Sequence, residues 1–347
     1  MGTTEAQERA EALGLPPELL ARLASHYEPE VTDDIIAGYA ASRACTLRAN
    51  TLKASPAEVA AELDAAGIAW RAPAFYADAF VTDAGSEPAL RALDAYAQGK
   101  VYLQSLSAML PPLALDPRPG ENILDMAAAP GGKTCQTAAL SGGKALITAC
   151  EKNAVRAQKL RHNLEKQGVA RCNVMECDAR KLDEFFTFDK VLLDAPCSGS
   201  GTVSLAGGAY CGGFSGELLE RSVKTQRALL RKAFETVRPG GIVVYATCSI
   251  LPEENELLIE SVLNPSKDEL AGAPRGGRRG RGRRGRGKRR GGERQRPAKP
   301  VNAEVVPLPD GLLEGVPLLP CALEGAACVR PTELYEGFFV AVLKRLS

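Results

Sequence analysis

From Gly120 onward the sequence repeats one pattern: apolar runs of strand length (NILDM, ALITAC, CNVMEC, KVLLDA, GIVVYATC) separated by amphipathic segments of helix length. A run that is apolar throughout is buried on both faces, and a helix-length link brings the chain back to the same edge, so βαβ units around a parallel sheet are required. The clearest helix is Asn153 to Lys166, with Ala157, Leu160 and Leu164 on one face and Gly168 just beyond its end. The last run, GFFVAVLKRL, is a closing strand that pairs at the edge or antiparallel. The expected fold class is α/β, a doubly wound, mostly parallel, Rossmann-like sheet over residues 101–347.

Two shorter regions precede it. Residues 1–44 carry Leu15, Leu19, Leu20 and Leu23 at helical spacing, with Pro16 and Pro17 at a helix start, and read as a helical region. Residues 45–100 place strand-like runs (TLRANTL, FVTD) around a helix from Pro56 to Ala66 that stops at Gly67, which predicts a small α+β subdomain.

An insert at about 266–300 interrupts the large domain. Between Arg275 and Arg296 it holds 11 Arg, one Lys and one Glu without one aliphatic or aromatic side chain, so it has no apolar area to offset chain entropy and is expected to be disordered. The chain's formal charge of +1 hides this asymmetry, because the remainder has 31 basic against 41 acidic residues. A mildly acidic body thus carries one concentrated cationic segment, and polyanion binding is expected to reside there.

The N-terminal MGTTEAQERAEAL has neither a basic leader nor an apolar core, Ala6 breaks the myristoylation pattern, and no run approaches the ~18 apolar residues of a membrane span. A cytoplasmic protein is expected, nucleolar if the source is eukaryotic, with no membrane partner. The ten cysteines include no C-x-x-C pair and only two histidines accompany them, so no metal site is expected and reduced thiols are.

The run ILDMAAAPGGKT passes from strand to small residues to a helix beginning near Lys133. Ala127, Ala128, Ala129, Pro130, Gly131, Gly132 and Lys133 let the backbone turn sharply and approach a ligand, with helix amides facing the same space. The pattern is neither a P-loop nor G-x-G-x-x-G. Three acids follow at successive strand ends, Glu151, Asp178 and Asp194. Any one alone could cap a helix or sit in solvent; together after a glycine-rich turn they suit a ribose, an exocyclic amine and an ammonium, and they repel a pyrophosphate. S-adenosyl-L-methionine, cationic and free of phosphate, fits better than NAD or ATP.

Two cysteines fall where strand ends converge: Cys197 in LLDAPCSGSG and Cys248 in VVYATCSILPEEN. A thiol beside a methyl donor is needed when the acceptor is a weakly nucleophilic carbon, with pyrimidine C5 as the leading case. Thiolate addition at C6 makes C5 enamine-like, and a base later removes the C5 proton to expel the enzyme. The other eight cysteines, Cys45, Cys135, Cys150, Cys172, Cys177, Cys211, Cys321 and Cys328, read as core or loop residues.

AAAPGGK, CEKN, ECDARKL, LLDAPCSGSG, YATCSILPEENE and GFFVAVLKR resemble, in order, the motifs of the RNA cytosine-5 methyltransferases of the Nop/Sun (Fmu) family, and TLRANTLK and VYLQSLSAMLPPLAL resemble that family's N-terminal segments. The resemblance implies a methyltransferase sheet preceded by an RNA-recognition-like subdomain at 45–100. It implies S-adenosyl-L-methionine as cofactor and ribosomal or transfer RNA as substrate and partner. A monomer is expected, although no feature of the sequence fixes the oligomeric state. It implies Cys248 as nucleophile, Cys197 as the thiol that assists release, Asp194 on the target base and donor, and Lys133 in the same catalytic set. Glu151 would hold the ribose, Asp178 the adenine, and Ala127 to Lys133 the methionine side. DNA cytosine-5 methyltransferases place their nucleophile in a Pro-Cys after the fourth strand, so spacing alone leaves the two cysteine roles open; their Glu-Asn-Val element is absent here. The remaining alternatives are DNA cytosine methylation and an RNA-binding ribosome-assembly factor with dispensable methylation. Where many members carry a basic stretch after DAPCSGSGT, this chain reads VSLAGGAYCGGFSGELLE. The Arg/Gly tract is expected to serve as an accessory RNA-binding segment.

Overall fold

The computed structural model describes residues 4–265 and 301–347. The chain begins with α1 (Glu5–Ala12), α2 (Pro17–His26) and α3 (Pro29–Ala40). A small unit follows: β1 (Cys45–Ala49), α4 (Pro56–Ala65), β2 (Trp70–Arg71), β3 (Ala79–Thr82), α5 (Glu87–Ala92), α6 (Asp94–Ala97) and β4 (Val101–Leu103). The large unit runs through α7 (Leu106–Leu115), β5 (Asn122–Asp125), α8 (Gly132–Leu140), β6 (Leu146–Cys150), α9 (Ala154–Gln167), β7 (Cys172–Met175), β8 (Phe188–Asp194), α10 (Gly216–Thr236), β9 (Val237–Thr247) and α11 (Glu256–Leu263). It closes with β10 (Ala303–Val306), β11 (Leu318–Leu319), β12 (Ala327–Val329) and β13 (Phe338–Arg345). The Arg/Gly insert expected at about 266–300 lies outside the described residues.

Local signals set these elements. α4 starts on a reciprocal capping box between Ser55 and Glu58, with Pro56 in its first turn, and stops before Gly67, whose φ of +67° suits glycine. α9 is capped by the Asn153 side chain and ends at Gly168 in the left-handed region, and the face of Ala157, Leu160 and Leu164 is buried.

The large sheet has the order β11-β12-β13-β9-β8-β5-β6-β7, with β10 pairing β13. Strands β7-β6-β5-β8-β9 are parallel, as the unbroken apolar runs require. The rest is antiparallel, so the sheet is less uniformly parallel than the sequence suggests. The closing strand β13 is not at an edge: Phe339–Lys344 pair with Ile242–Thr247 of β9, while β12 and β10 share its other side. Every residue from Phe338 to Leu343 is buried accordingly.

The small sheet, β2-β3-β1-β4, is wholly antiparallel and has its own core around Leu47, Val59, Leu63 and Phe80. Its fourth strand comes from Val101–Leu103, past the boundary drawn at residue 100. The N-terminal helices join the core of the large sheet and not the small one: Leu15, Leu19, Leu23, Ile35 and Tyr39 pack with Leu193, Leu230 and Tyr245.

Candidate active site

The strand order turns about β5, from which the chain proceeds to β6 on one side and β8 on the other. A crevice opens at the carboxyl ends beside such a switch point, and the predicted residues gather there. Ala128 N donates to Cys150 O (3.0 Å), fixing the loop after β5 against the end of β6. The carbonyls of Ala129 and Pro130 accept from Arg156 (2.7 Å) and Asn163 (2.8 Å). Gly131 caps α8 at φ +111°, and a Cβ there would lie 2.9 Å from Leu160 Cδ1. At Gly132 a Cβ would lie 3.0 Å from the Tyr102 ring of β4. The two glycines keep the turn bare of side chains between α9 and the small sheet.

Of the three predicted acids, Glu151 is 4% exposed, accepts from Asn153 N (2.8 Å) and lies 3.5 Å from Arg156. Asp178 caps the short 3-10 turn Ala179–Lys181, and its carboxylate also receives the Arg180 side chain at 2.9 and 2.5 Å. The Arg180 hydrogen bonds hold its carboxyl below the ordinary range despite partial burial. Capping, which the sequence offered as the alternative role for a single acid, is what Asp178 does here. Asp194 lies 2.7 Å from Lys133 Nζ. Burial alone would lower the Lys133 ammonium, but the Asp194 charge and hydrogen bond raise it, so Lys133 is held charged. Its Nζ also stands 5.3 Å from the centre of the Phe338 ring, at the start of β13.

A fourth acid was not picked out from the sequence. Asp125, the last residue of β5, is 2% exposed; one carboxylate oxygen accepts from Thr134 Oγ1 (2.7 Å), and the Ala127 amide also faces the carboxylate. Burial pushes its carboxyl up to about 6, against the Thr134 hydrogen bond. The strand-end position that drew attention to Glu151 and Asp194 applies equally to Asp125, and only its place inside the ILDMAAAPGGKT motif hid it.

Cys197 and Cys248, three and one residues past β8 and β9, meet with their sulfurs 2.8 Å apart. All ten cysteines are free thiols. The hydrogen bond with Cys248, followed by burial, pushes the Cys197 thiol well above its ordinary range. Main-chain bonds brace both loops: Gly201 N donates to Cys248 O (3.0 Å), and Gly337 N to Gly201 O (2.8 Å). Glu254, fully buried, accepts from Ser198 N (2.8 Å), Ser198 Oγ (2.5 Å) and Gln226 Nε2 (2.9 Å), and burial raises its carboxyl against these donors. The N-terminal helices add Tyr39 Oη to Ser200 O and Tyr27 Oη to Ile250 O, each 2.6 Å. The divergent loop after Thr202 packs on the same helices, with Leu205 N donating to Tyr39 O and Tyr210 N to Leu13 O.

A doubly wound sheet with a glycine-rich turn at its switch point, acids at consecutive strand ends and a preceding ferredoxin-like unit defines a methyltransferase fold of the class that carries a paired thiol site. A family model described as the 16S rRNA methyltransferase RsmB/F matches residues 112–277, and one for the ferredoxin-like domain of RsmF/B-like methyltransferases matches residues 15–86. The ribosomal RNA small subunit methyltransferase F of Shewanella sp. (strain ANA-3) is 36% identical over 232 residues, 66% of this chain and 48% of that protein. A methyltransferase homolog protein from Pyrococcus horikoshii superposes with a TM-score of 0.72 at 28% identity, covering 96% of this chain and 100% of that one. NSun6 from Pyrococcus horikoshii gives a TM-score of 0.76 over 96% of this chain and 98% of its own, and at 20% identity that likeness speaks for the fold alone. The chain belongs to the Nop/Sun (RsmB/F) methyltransferase family. It spans about half the length of the Shewanella relative.

Proposed function

We propose that the protein is an S-adenosyl-L-methionine-dependent RNA methyltransferase that makes 5-methylcytosine, with small-subunit ribosomal RNA as the first substrate to test. The observation that carries this reading is the meeting of two free thiols, 2.8 Å apart, beside a charged Lys133–Asp194 pair. An N- or O-methyltransferase needs no nucleophile, whereas methylation at a pyrimidine C5 needs one thiol to add at C6 and a proton-transfer partner to end the covalent state.

The crevice suits the donor on its own chemistry. Asp125 offers a buried carboxyl, Glu151 stands at the end of β6, and the cations Lys133, Arg156 and Arg180 are each engaged by an acid, Asp194, Glu151 and Asp178. These acids suit a cationic ligand without phosphate, and the turn at Gly131 and Gly132 tolerates no side chain because Leu160 and Tyr102 fill the space a Cβ would take. When bound, S-adenosyl-L-methionine supplies an electrophilic methyl with a neutral thioether as leaving group.

Cys248 is the nucleophile in this reading. Cys197 lies in hydrogen-bond contact with the Cys248 sulfur. After methyl transfer Cys197, once its own proton has passed to solvent, takes the C5 proton, the C5=C6 bond re-forms and Cys248 leaves as a thiolate. The Lys133 ammonium faces developing negative charge at this centre, and Asp194 orients the ammonium and the base. Glu151 takes the ribose. Asp178 takes the adenine through whatever acceptor capacity Arg180 leaves it. No helix among the described residues is long and apolar enough to cross a membrane.

Covalent trapping tests the reading. Wild type, Cys248→Ala and Cys197→Ala are incubated with methyl-labelled donor and, in parallel, ribosomal RNA, transfer RNA and DNA, then denatured and analysed for protein–nucleic acid adducts. Cys197→Ala is expected to accumulate an RNA adduct, and Cys248→Ala to form neither adduct nor product. Methylation by Cys248→Ala would overturn the nucleophile assignment, and a preference for DNA would overturn the substrate.

A further inference from the structure

Glu254 takes no part in the reaction as described, yet it is a carboxylate with no exposed surface. Removing a carboxylate from water is costly unless strong donors replace the solvent. Here the Ser198 amide, the Ser198 hydroxyl and Gln226 converge on it. The Ser198 N–H belongs to the peptide plane that follows Cys197, so a hydrogen bond to that amide fixes the backbone from which the Cys197 thiol projects. Gln226 closes the other side, since its Nε2 also donates to Pro196 O at 2.9 Å. Glu254 itself is tied back to β9, because its carbonyl accepts from Tyr245 Oη at 2.6 Å, three residues before Cys248. One residue therefore joins the loop of one thiol to the strand of the other.

We propose that Glu254 is a positioning residue: its carboxylate, gripping Ser198, holds Cys197 at contact distance from Cys248. The inference rests on the two-thiol reading of the reaction for its catalytic consequence, but the clamp is a property of the protein alone. Loss of the clamp lets Cys197 drift from Cys248, and the step that needs both sulfurs, release of the covalent adduct, slows while donor and RNA still bind.

Two readouts test this on the full-length protein. The first is cross-linking of Cys197 to Cys248 by dibromobimane, which fluoresces only when both its bromomethyl groups have been displaced by thiols; the bridged peptide is identified by mass spectrometry. Glu254→Ala is expected to slow this cross-link by about tenfold, the scale of one lost charge-assisted hydrogen bond. Glu254→Gln, whose carbonyl can still accept from the Ser198 amide, recovers part of it. The second is adduct lifetime with labelled donor: Glu254→Ala prolongs it and lowers kcat and the KM for RNA together, leaving kcat/KM nearly unchanged. If Glu254→Ala fails to fold by circular dichroism, Ser198→Ala and Gln226→Ala, each removing one donor, must both slow the cross-link. Cross-linking at the wild-type rate in the folded variants overturns the proposal. If wild type itself forms no RNA adduct, the reaction reading falls, and the cross-link rates still decide the clamp.

Discussion

Asp125 offers a quantitative check on the burial argument at the cofactor crevice. Its carboxyl, ordinarily near 3.8, is pushed up to about 6 by burial, with the Asp194 charge adding to the shift and the Thr134 hydroxyl and Lys133 opposing it. A folded state that binds this proton more tightly than the unfolded chain gains stability from it below about pH 4. That gain is lost as pH rises through about 6, and the difference amounts to ~3 kcal/mol. Asp125→Asn removes the titration while keeping the shape of the side chain. Its amide also carries a cost of its own, because a buried NH2 must find an acceptor, but that cost does not vary with pH. The measurable quantity is therefore the stability of the variant minus that of wild type, from urea unfolding followed by far-UV circular dichroism at several pH values. This difference should climb in the variant's favour by ~2.4 kcal/mol between pH 4 and pH 7 and then level off. A difference that stays constant over that range would refute the assignment of a raised Asp125 carboxyl.

Three further outcomes follow from the same geometry. Gly131→Ala should weaken binding of the methyl donor, measured by calorimetry, because the left-handed backbone at φ +111° costs a side chain ~1–2 kcal/mol and the new Cβ meets Leu160 at 2.9 Å. Tyr39→Phe leaves the buried Ser200 carbonyl without its donor and should destabilise the fold by ~1–3 kcal/mol. Thermal unfolding then shifts down by several degrees, and kcat falls more than KM rises because Ser200 lies in the Cys197 loop. Deletion of Arg275–Arg296, which lies outside the described residues, should raise the apparent KM for RNA and flatten its dependence on salt more than it lowers kcat, since the tract carries +11. Equal KM and equal salt dependence in wild type and deletion would assign RNA binding to the folded units instead.

The inner parallel strands were legible because each carries a continuous apolar run, as a doubly buried strand must; the edge strand β7, only partly buried, is legible from its place in the alternation. Strands β10, β11 and β12 were not, since they are two to four residues long, and the stretch from Leu308 to Gly325 that links them is rich in proline and glycine. Their pairing is dictated by β13, whose exposed side would otherwise be an open edge. At the site, the turn residues and strand-end acids could be read because position after a strand is itself a sequence signal. Asp178 shows the limit of that signal: Arg180, two residues on, takes up its carboxylate, and no spacing rule distinguishes a cap from a ligand contact. Glu254 shows a second limit. Its partners come from positions 198 and 226, so only the packing of α10 against β8 and β9 brings them within reach.

The N-terminal helices illustrate how a correct local reading can leave a role open. Their apolar spacing is plain in the sequence, whereas the surface that spacing packs against is not. In the folded chain they lie against the large sheet, and their tyrosines reach the loops of both thiols: Tyr39 holds Ser200 and Tyr27 holds Ile250. Arg22 pairs with Glu253 at 2.8 Å, and His26 Nε2 lies 3.1 Å from the same carboxylate. The sulfurs thus depend on three supports from distant parts of the sequence: β13 through Gly337, the α10–Glu254 clamp, and the N-terminal helices. Direct bonds already join the two loops, Gly201 N to Cys248 O and Ile250 N to Ser200 Oγ, each 3.0 Å. The helices add support from behind, holding Ser200 and Ile250 through Tyr39 and Tyr27.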